Sequence, residues 1–274
     1  MHKNTSVAIA SADRVGALLE NLRAKSPLIH CITNVVAANF TANVLLALGA
    51  SPAMVDNTEE AGPFAGVAGA MLVNLGTFTP LTVAAMRLAV RSARQAERPW
   101  VLDPVGVGAL AYRTGLARDL MMEGPAAIRG NASEIASLGG QNDHAGRGVD
   151  STLSSADAIE AARRLAGKTG AVVGVTGQTD YVTDGTRLVA IANGDAIMAR
   201  VTALGCALSA VVAAFLAVGD DAAEATASAL LTVAVSGEIA ADGARGPGQF
   251  ATAFLDTLYT MTPADLSERA KLTI

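Results

Sequence analysis

Charge is scarce in this chain. Asp, Glu, Lys and Arg together make up 16% of its 274 residues, and the net charge is −5. No run of basic residues occurs, so the clustered Lys and Arg that neutralise a phosphate backbone are missing and nucleic acid is excluded as a partner. Cysteine is scarcer still. The two present, Cys31 and Cys206, lie too far apart in sequence for a metal-binding motif, and a disulfide is not expected inside a cell. Familiar nucleotide and hydrolase signatures are also absent: there is no G-x-x-x-x-G-K-[ST] loop and no G-x-S-x-G elbow. The nearest approach to a dinucleotide fingerprint, at residues 106–111, has Ala in the last Gly position and no apolar helical run behind it. A bound nucleotide is therefore held in another way.

Two stretches carry no charge at all, residues 27–55 and 61–86, and their length raises the question of a membrane. Both are broken by Asn, Thr, Pro and Gly, including Asn34, Asn43, Pro63 and Asn74, so neither is a continuous apolar span of about 20 residues. The apolar patch before Asp13 is too short for a signal-peptide core. These absences predict a cytoplasmic protein without membrane contact. Apolar residues, by contrast, make up 51% of the chain. That is ample for one α/β domain over residues 1–274, and the surplus suggests burial between subunits.

Apolar runs without polar alternation predict buried strands at 51–55, 70–76, 100–102, 126–129 and 171–175. Helices are expected at 14–25 behind a Ser11 cap, then at 36–48, 58–68, 81–96, 114–122, 154–166, 222–241 and 249–259. Residues 181–192 read as a hairpin with a tight Asp184-Gly185 turn. Residues 139–150 read as a Gly-rich loop and candidate lid, and the chain from Pro263 onward as a short polar tail. Alternating strands and helices of this kind predict a mostly parallel central sheet with helices on both faces.

The stretch over residues 197–220 organises the site. Val201 and Thr202 suggest a strand, Ala203, Leu204 and Gly205 a tight turn, and the uncharged run from Cys206 a buried helix. Such a helix start offers unpaired N–H groups and a positive dipole end, suited to phosphate, and is expected to favour the Cys206 thiolate. Cys206 would then serve as a nucleophile or as a weak base beside a phosphate. Ligands of parallel sheets bind at the carboxyl ends of strands, which singles out Asp103, Arg129, Asn131 with Glu134, and Thr176-Gly177. Asp103 and Glu134 are hard oxygen donors for a phosphate-bound Mg²⁺. Asn131 and Glu134 have an equally simple reading as a capping box, Arg129 as a partner of a carboxylate, Thr176 as a strand-end hydroxyl, and Cys206 as a small buried hydrophobe.

Six separated segments, HCITNVV at 30–36, SPAMV at 51–55, VLDPVGVGA at 101–109, RGNASEI at 129–135, GVDS at 148–151 and VTALGCALSAVVAAF at 201–215, together resemble the hydroxyethylthiazole kinases of the ribokinase-like superfamily. The resemblance implies phosphorylation of the hydroxyl of 4-methyl-5-(2-hydroxyethyl)thiazole with ATP and Mg²⁺, a step of thiamine salvage, in a homotrimer with sites between subunits. It implies Met54 as lining the thiazole pocket, with Asn34 and Val36 near it and Ala203 at the substrate turn. By the same resemblance Arg129 and Thr176 contact ATP, Asp103 and Glu134 serve the metal, and Cys206 stands where many ribokinase-like enzymes carry an Asp base. Ala203 departs from the Gly of many relatives. A dehydratase of the same superfamily, a hydroxymethylpyrimidine kinase and a non-catalytic thiazole-binding module are the alternatives.

Overall fold

The computed structural model describes residues 9–140 and 153–273. In chain order its elements are α1 (Ala12–Lys25), β1 (Leu28–Ile32), α2 (Ala38–Leu48), β2 (Ser51–Ala53), α3 (Ala61–Val67), β3 (Ala70–Asn74), α4 (Pro80–Gln95), β4 (Trp100–Asp103), α5 (Ala111–Leu120) and β5 (Ala127–Asn131). They continue with α6 (Ala132–Leu138), α7 (Ile159–Thr169), β6 (Val172–Thr176), β7 (Asp180–Thr183), β8 (Leu188–Ile191), α8 (Leu204–Leu216), α9 (Ala222–Ala241), α10 (Pro247–Thr260), α11 (Pro263–Arg269) and β9 (Leu272–Thr273).

The nine strands form one sheet in the order β2-β1-β3-β4-β5-β6-β7-β8-β9. The first six run parallel, and β7, β8 and β9 pair antiparallel. Side chains of a strand alternate between faces, and each face here has its own core. Leu72 packs with Leu19, Leu48, Phe215, Leu230 and Phe250, from helices α1, α2, α8, α9 and α10. Its neighbours Met71 and Val73 pack on the other face with Ala65, Met86, Leu116, Ile135 and Leu165, from α3 to α7. Strands buried on both sides need no polar alternation, which is why they read as unbroken apolar runs. Parallel pairing then places the ends of β1, β3, β4, β5 and β6 along one edge: Asn74 lies beside Asp103, and Asn131 beside Thr176.

Four expectations need correction. No strand forms at 201–202; Asp195 Oδ1 instead accepts the Ile197 N–H at 2.8 Å and starts a 3₁₀ turn, Ala196–Arg200. Helix α8 begins at Leu204, so Cys206 is its third residue. The hairpin has a four-residue connection, since Thr183 pairs with Leu188 and leaves residues 184–187 between the strands. Asp184 fills that wider turn by accepting the N–H groups of Thr186 and Arg187. Finally, the tail from Pro263 is ordered: Thr262 caps α11, Leu266 is fully buried, and β9 pairs with β8. The GVDS segment, His144, most of the expected 139–150 loop and the first eight residues lie outside the described residues.

Candidate active site

A buried chain of polar side chains runs along the tips of the parallel strands. Ser209 of α8 and Asn74 of β3 each donate to Asp103 Oδ2, both at 2.8 Å. Asn34 Nδ2, two residues past β1, donates to Asn74 Oδ1 at 2.9 Å and to Cys206 Sγ at 3.3 Å. The other end of the Asn34 amide, Oδ1, accepts the N–H groups of Val36 and Ala37. This close approach needs Gly76, where a Cβ atom would lie 2.6 Å from Asn34. Asn34, Asp103 and Cys206 are thus one network, joined by Asn74 and Ser209, two residues the sequence did not single out. An Asn closing a wholly apolar strand was the legible signal for the first.

A second group lies beside it. Arg129, on β5, donates from Nη1 to the Gly205 carbonyl at 3.0 Å and from Nη2 to Thr176 Oγ1 at 2.6 Å. It ties the end of β6 to the first turn of α8, and among the described residues it forms no ion pair. Gly205 suits this approach, because a Cβ there would meet the guanidinium at 3.2 Å. Thr176 Oγ1 also donates to the Gly130 carbonyl, the strand-end hydroxyl role its position suggests. The unpaired amides at the start of α8 face no capping side chain, since Ala203 at the N-cap has none to offer. Ala203 itself is left-handed, with φ 70° and ψ −10°.

Glu134 and Asn131 form a complete capping box: Asn131 Oδ1 accepts the Glu134 N–H, and Glu134 Oε2 accepts the Asn131 N–H. Glu134 Oε1 accepts the Gly106 N–H at 2.9 Å as well. Burial pushes the Glu134 carboxyl up, and these backbone donors, Arg129 and Arg113 oppose the shift. Burial also pushes Asp103 up to about 7; Arg129 opposes, the Glu134 charge adds to it, and the bonds from Ser209 and Asn74 oppose it. Cys206 departs from expectation. Burial and the Asp103 charge push the thiol up, outweighing the Asn74, Asn34 and Arg129 contributions, so the thiolate is not favoured.

A cavity of about 740 Å³ opens on the Arg129 side. Thr176, Gly177 and Asp180 line it together with residues 193–196, 198 and 199, with Leu204 and Gly205 of α8, and with Val233 and Ala234 of α9. Asp180, which sequence reasoning passed over, accepts the Gly177 N–H at 2.9 Å, and burial pushes its carboxyl up to about 7 against that bond and Arg129. Val36 meets the first group only through its backbone N–H on Asn34 Oδ1, and neither its side chain nor that of Met54 lines the cavity. Met54 follows β2 and Val36 precedes α2, and they are exposed, 37% and 58%. Among the described residues no three His, Cys, Asp or Glu side chains gather as a metal cluster. A cation held by one or two carboxylates and by phosphate oxygens needs no such cluster. Asp103 and Glu134, two buried carboxyls of which the second destabilises the charge on the first, fit that kind of site.

The architecture is a ribokinase-like fold. It superposes on a ribokinase-like superfamily protein from Enterococcus faecalis with a TM-score of 0.64 at 12% identity, covering 96% of this chain and 100% of the other. The structure of hydroxyethylthiazole kinase protein from Pyrococcus horikoshii matches with a TM-score of 0.87 at 35% identity, covering 95% and 98%. The curated hydroxyethylthiazole kinase of Tolumonas auensis is 55% identical over 256 residues, 93% of this chain and 96% of the relative. That of Granulibacter bethesdensis is 54% identical over 259 residues, 94% of each. The hydroxyethylthiazole kinase family matches residues 19–264, and the chain belongs to it.

Proposed function

We propose that the protein transfers the γ-phosphoryl group of ATP to the hydroxyl of 4-methyl-5-(2-hydroxyethyl)thiazole, as a step of thiamine salvage. The observation that carries the reading is the meeting of two sites at the first turn of α8. The cavity beside Arg129 and Thr176 ends at Gly205, and the Asn34–Asn74–Asp103 chain ends at Cys206, the next residue. A donor phosphate in the cavity and an acceptor hydroxyl beside Cys206 would share one helix start, whose amides and dipole favour the transferring group. In the transfer the hydroxyl oxygen bonds to the γ-phosphorus while the bridge to the β-phosphate breaks and ADP leaves, and the hydroxyl proton passes to a phosphoryl oxygen and from there to water. Such a transition state asks for positioning and charge neutralisation more than for a strong base.

Each side chain has a part in this reading. Arg129 and Thr176 contact ATP. Asn34 and Ala203 border the thiazole, with Met54 and Val36 completing its pocket. Cys206, held as a neutral thiol, orients the substrate hydroxyl without bonding to it covalently. Asp103 and Glu134 would hold Mg²⁺, which when bound neutralises phosphate charge. The chain works as one domain over residues 1–274, in the cytoplasm; no helix among the described residues is long and apolar enough to cross a membrane. The exposed Val35, Val36, Leu46, Met54 and Val67, at 81%, 58%, 59%, 37% and 68%, support a homotrimer in which a neighbouring copy covers them and closes the thiazole pocket.

The test is ADP formation with Mg²⁺ in the presence of hydroxyethylthiazole, of hydroxymethylpyrimidine, or of neither. Thiazole-dependent ADP is expected, and thiazole binding without ADP would move the protein to the binding-module class. Glu134→Gln separates metal from cap, because Gln still serves a capping box while losing the charge. The expected result is a folded variant with a raised Mg²⁺ requirement. An unchanged requirement would leave Glu134 a helix cap alone.

A further inference from the structure

Residues 193–196, 198 and 199 form one wall of the cavity, and the first two are held by a side chain that does not line it. Glu238 of α9 accepts the Gly194 N–H on Oε1 at 3.1 Å and the Asn193 amide on Oε2, also at 3.1 Å. Asn193 in turn donates to the Arg269 carbonyl and accepts the Lys271 N–H, both at 2.8 Å, which links the wall to the end of α11 and the start of β9. The Lys271 ammonium closes the set on Glu238 Oε1 at 2.8 Å. Gly194 sits at φ +119°, a conformation that side-chain-bearing residues rarely adopt, so its amide is aimed by the turn and fixed by the carboxylate.

The residue before Glu238 contributes too. A Cβ atom at Gly237 would fall 2.3 Å from Met198 Sδ, so the missing side chain seats the methionine of the 3₁₀ turn against α9. Met198 also lines the cavity.

We infer that Gly237 and Glu238 are positioning residues for the nucleotide: they seat the Asn193–Met198 wall, and through it the C-terminal α11–β9 segment becomes part of the ATP site. The inference rests on the cavity being the ATP site. Glu238 touches neither substrate and acts through the Gly194 amide and Asn193.

The experiment compares kcat and both KM values in wild type, Glu238→Ala, Glu238→Gln, Gly237→Ala and Lys271→Met, with thermal unfolding followed by circular dichroism. Glu238→Ala is expected to raise the KM for ATP about tenfold, the scale of one lost hydrogen bond to a charged group. Its kcat and thiazole KM should stay within about twofold, as an effect on ATP ground-state binding requires. Glu238→Gln keeps an oxygen for Gly194 but presents a second donor to Asn193, so it should fall between. Gly237→Ala should show the same ATP-specific rise. Lys271→Met removes the ammonium from Glu238 Oε1 and should raise the KM for ATP less than Glu238→Ala does, since that side chain is exposed and its ion pair weak. A folded Glu238→Ala enzyme with unchanged ATP KM, or with ATP and thiazole KM raised alike, overturns the inference while leaving the kinase reading intact. A wild-type protein that shows no ATP-dependent turnover overturns both.

Discussion

Ala203 is held at φ 70°, where an L-residue with a Cβ is strained by roughly 1–2 kcal/mol and glycine is not. Glycine loses more chain entropy on folding, which cancels part of that gain. Ala203→Gly should therefore stabilise the protein by about 1 kcal/mol or less, read as a higher urea midpoint at unchanged slope. The two cysteines make a contrast of a different kind. Burial pushes Cys31 up to about 12, and Cys206, half-buried at the site, is also pushed up. Iodoacetamide at pH 7.5 should label Cys206 more slowly than a free thiol and Cys31 only after denaturation, as mass spectrometry would show. Faster labelling of Cys206 would restore the activated thiolate that its place in the helix suggests.

His30 adds a pH dependence with a definite sign. Its Nε2–H donates to the Val55 carbonyl at 2.7 Å, Nδ1 is buried without a partner, and burial lowers the pKa against that hydrogen bond. Above the unfolded value of about 6.5 the ring is neutral in both states. As pH falls below it the unfolded chain binds a proton that the folded ring resists, so stability declines towards the lower folded value. Asp103 and Asp180, both raised to about 7, act in the opposite direction, since the folded state binds their protons first. The His30 contribution is read by difference: the loss of unfolding free energy from pH 7 to 5.5 should be smaller in His30→Leu than in wild type.

At the scale of elements, caps and their neighbours account for what formed and where. Helix α9 starts where the sequence places it because Asp221 Oδ1 accepts the Ala223 and Glu224 N–H groups. The same carboxylate receives Arg187 of the β7–β8 connection, which also binds Asp184. Hydrogen bonds from Arg187 lower Asp221 against the opposing effect of burial, and Asp184 is lowered as well by Arg187 and the turn amides, although burial opposes it. Both groups have depressed folded pKa values, so their contribution is present above the unfolded value of about 3.9 and is lost as pH falls below it. Asp221→Ala removes cap and bridge together and should cost about 1–2 kcal/mol of unfolding free energy. Helix α8 is the counter-case. Nothing in its sequence marks Leu204 as the first residue, because Ala203 caps with backbone conformation alone. The strand expected before it failed for a related reason: Asp195 bonds its own local backbone, which competes with a ladder.

For the whole molecule, the exposed apolar side chains around α2, β2 and α3 lead to a prediction about assembly. Leu46→Glu places a charge on that surface, and it should shift a trimer towards monomer in sedimentation analysis with the fold retained by circular dichroism. A sedimentation profile unmoved by Leu46→Glu would remove that face from any interface. What the sequence determined by itself is local or compositional. Unbroken apolar runs, Ser11 and the Asn131–Glu134 spacing sufficed for most of the strands, helices and caps, because burial on two faces and backbone capping act within a few residues. The tertiary structure decided what depends on distant partners. The β7–β8 hairpin was legible, but its docking on β6, the strand β9 and the ordered C-terminal segment exist through pairing across the sheet, and 78 residues separate Asn193 from Lys271. Asp103 is set beside Ser209 across 106 residues, and Asn34 beside Cys206 across 172. The protonation of the thiol was decided there too, because removal from water and a neighbouring carboxylate push it up, and neither is visible in the sequence around Cys206.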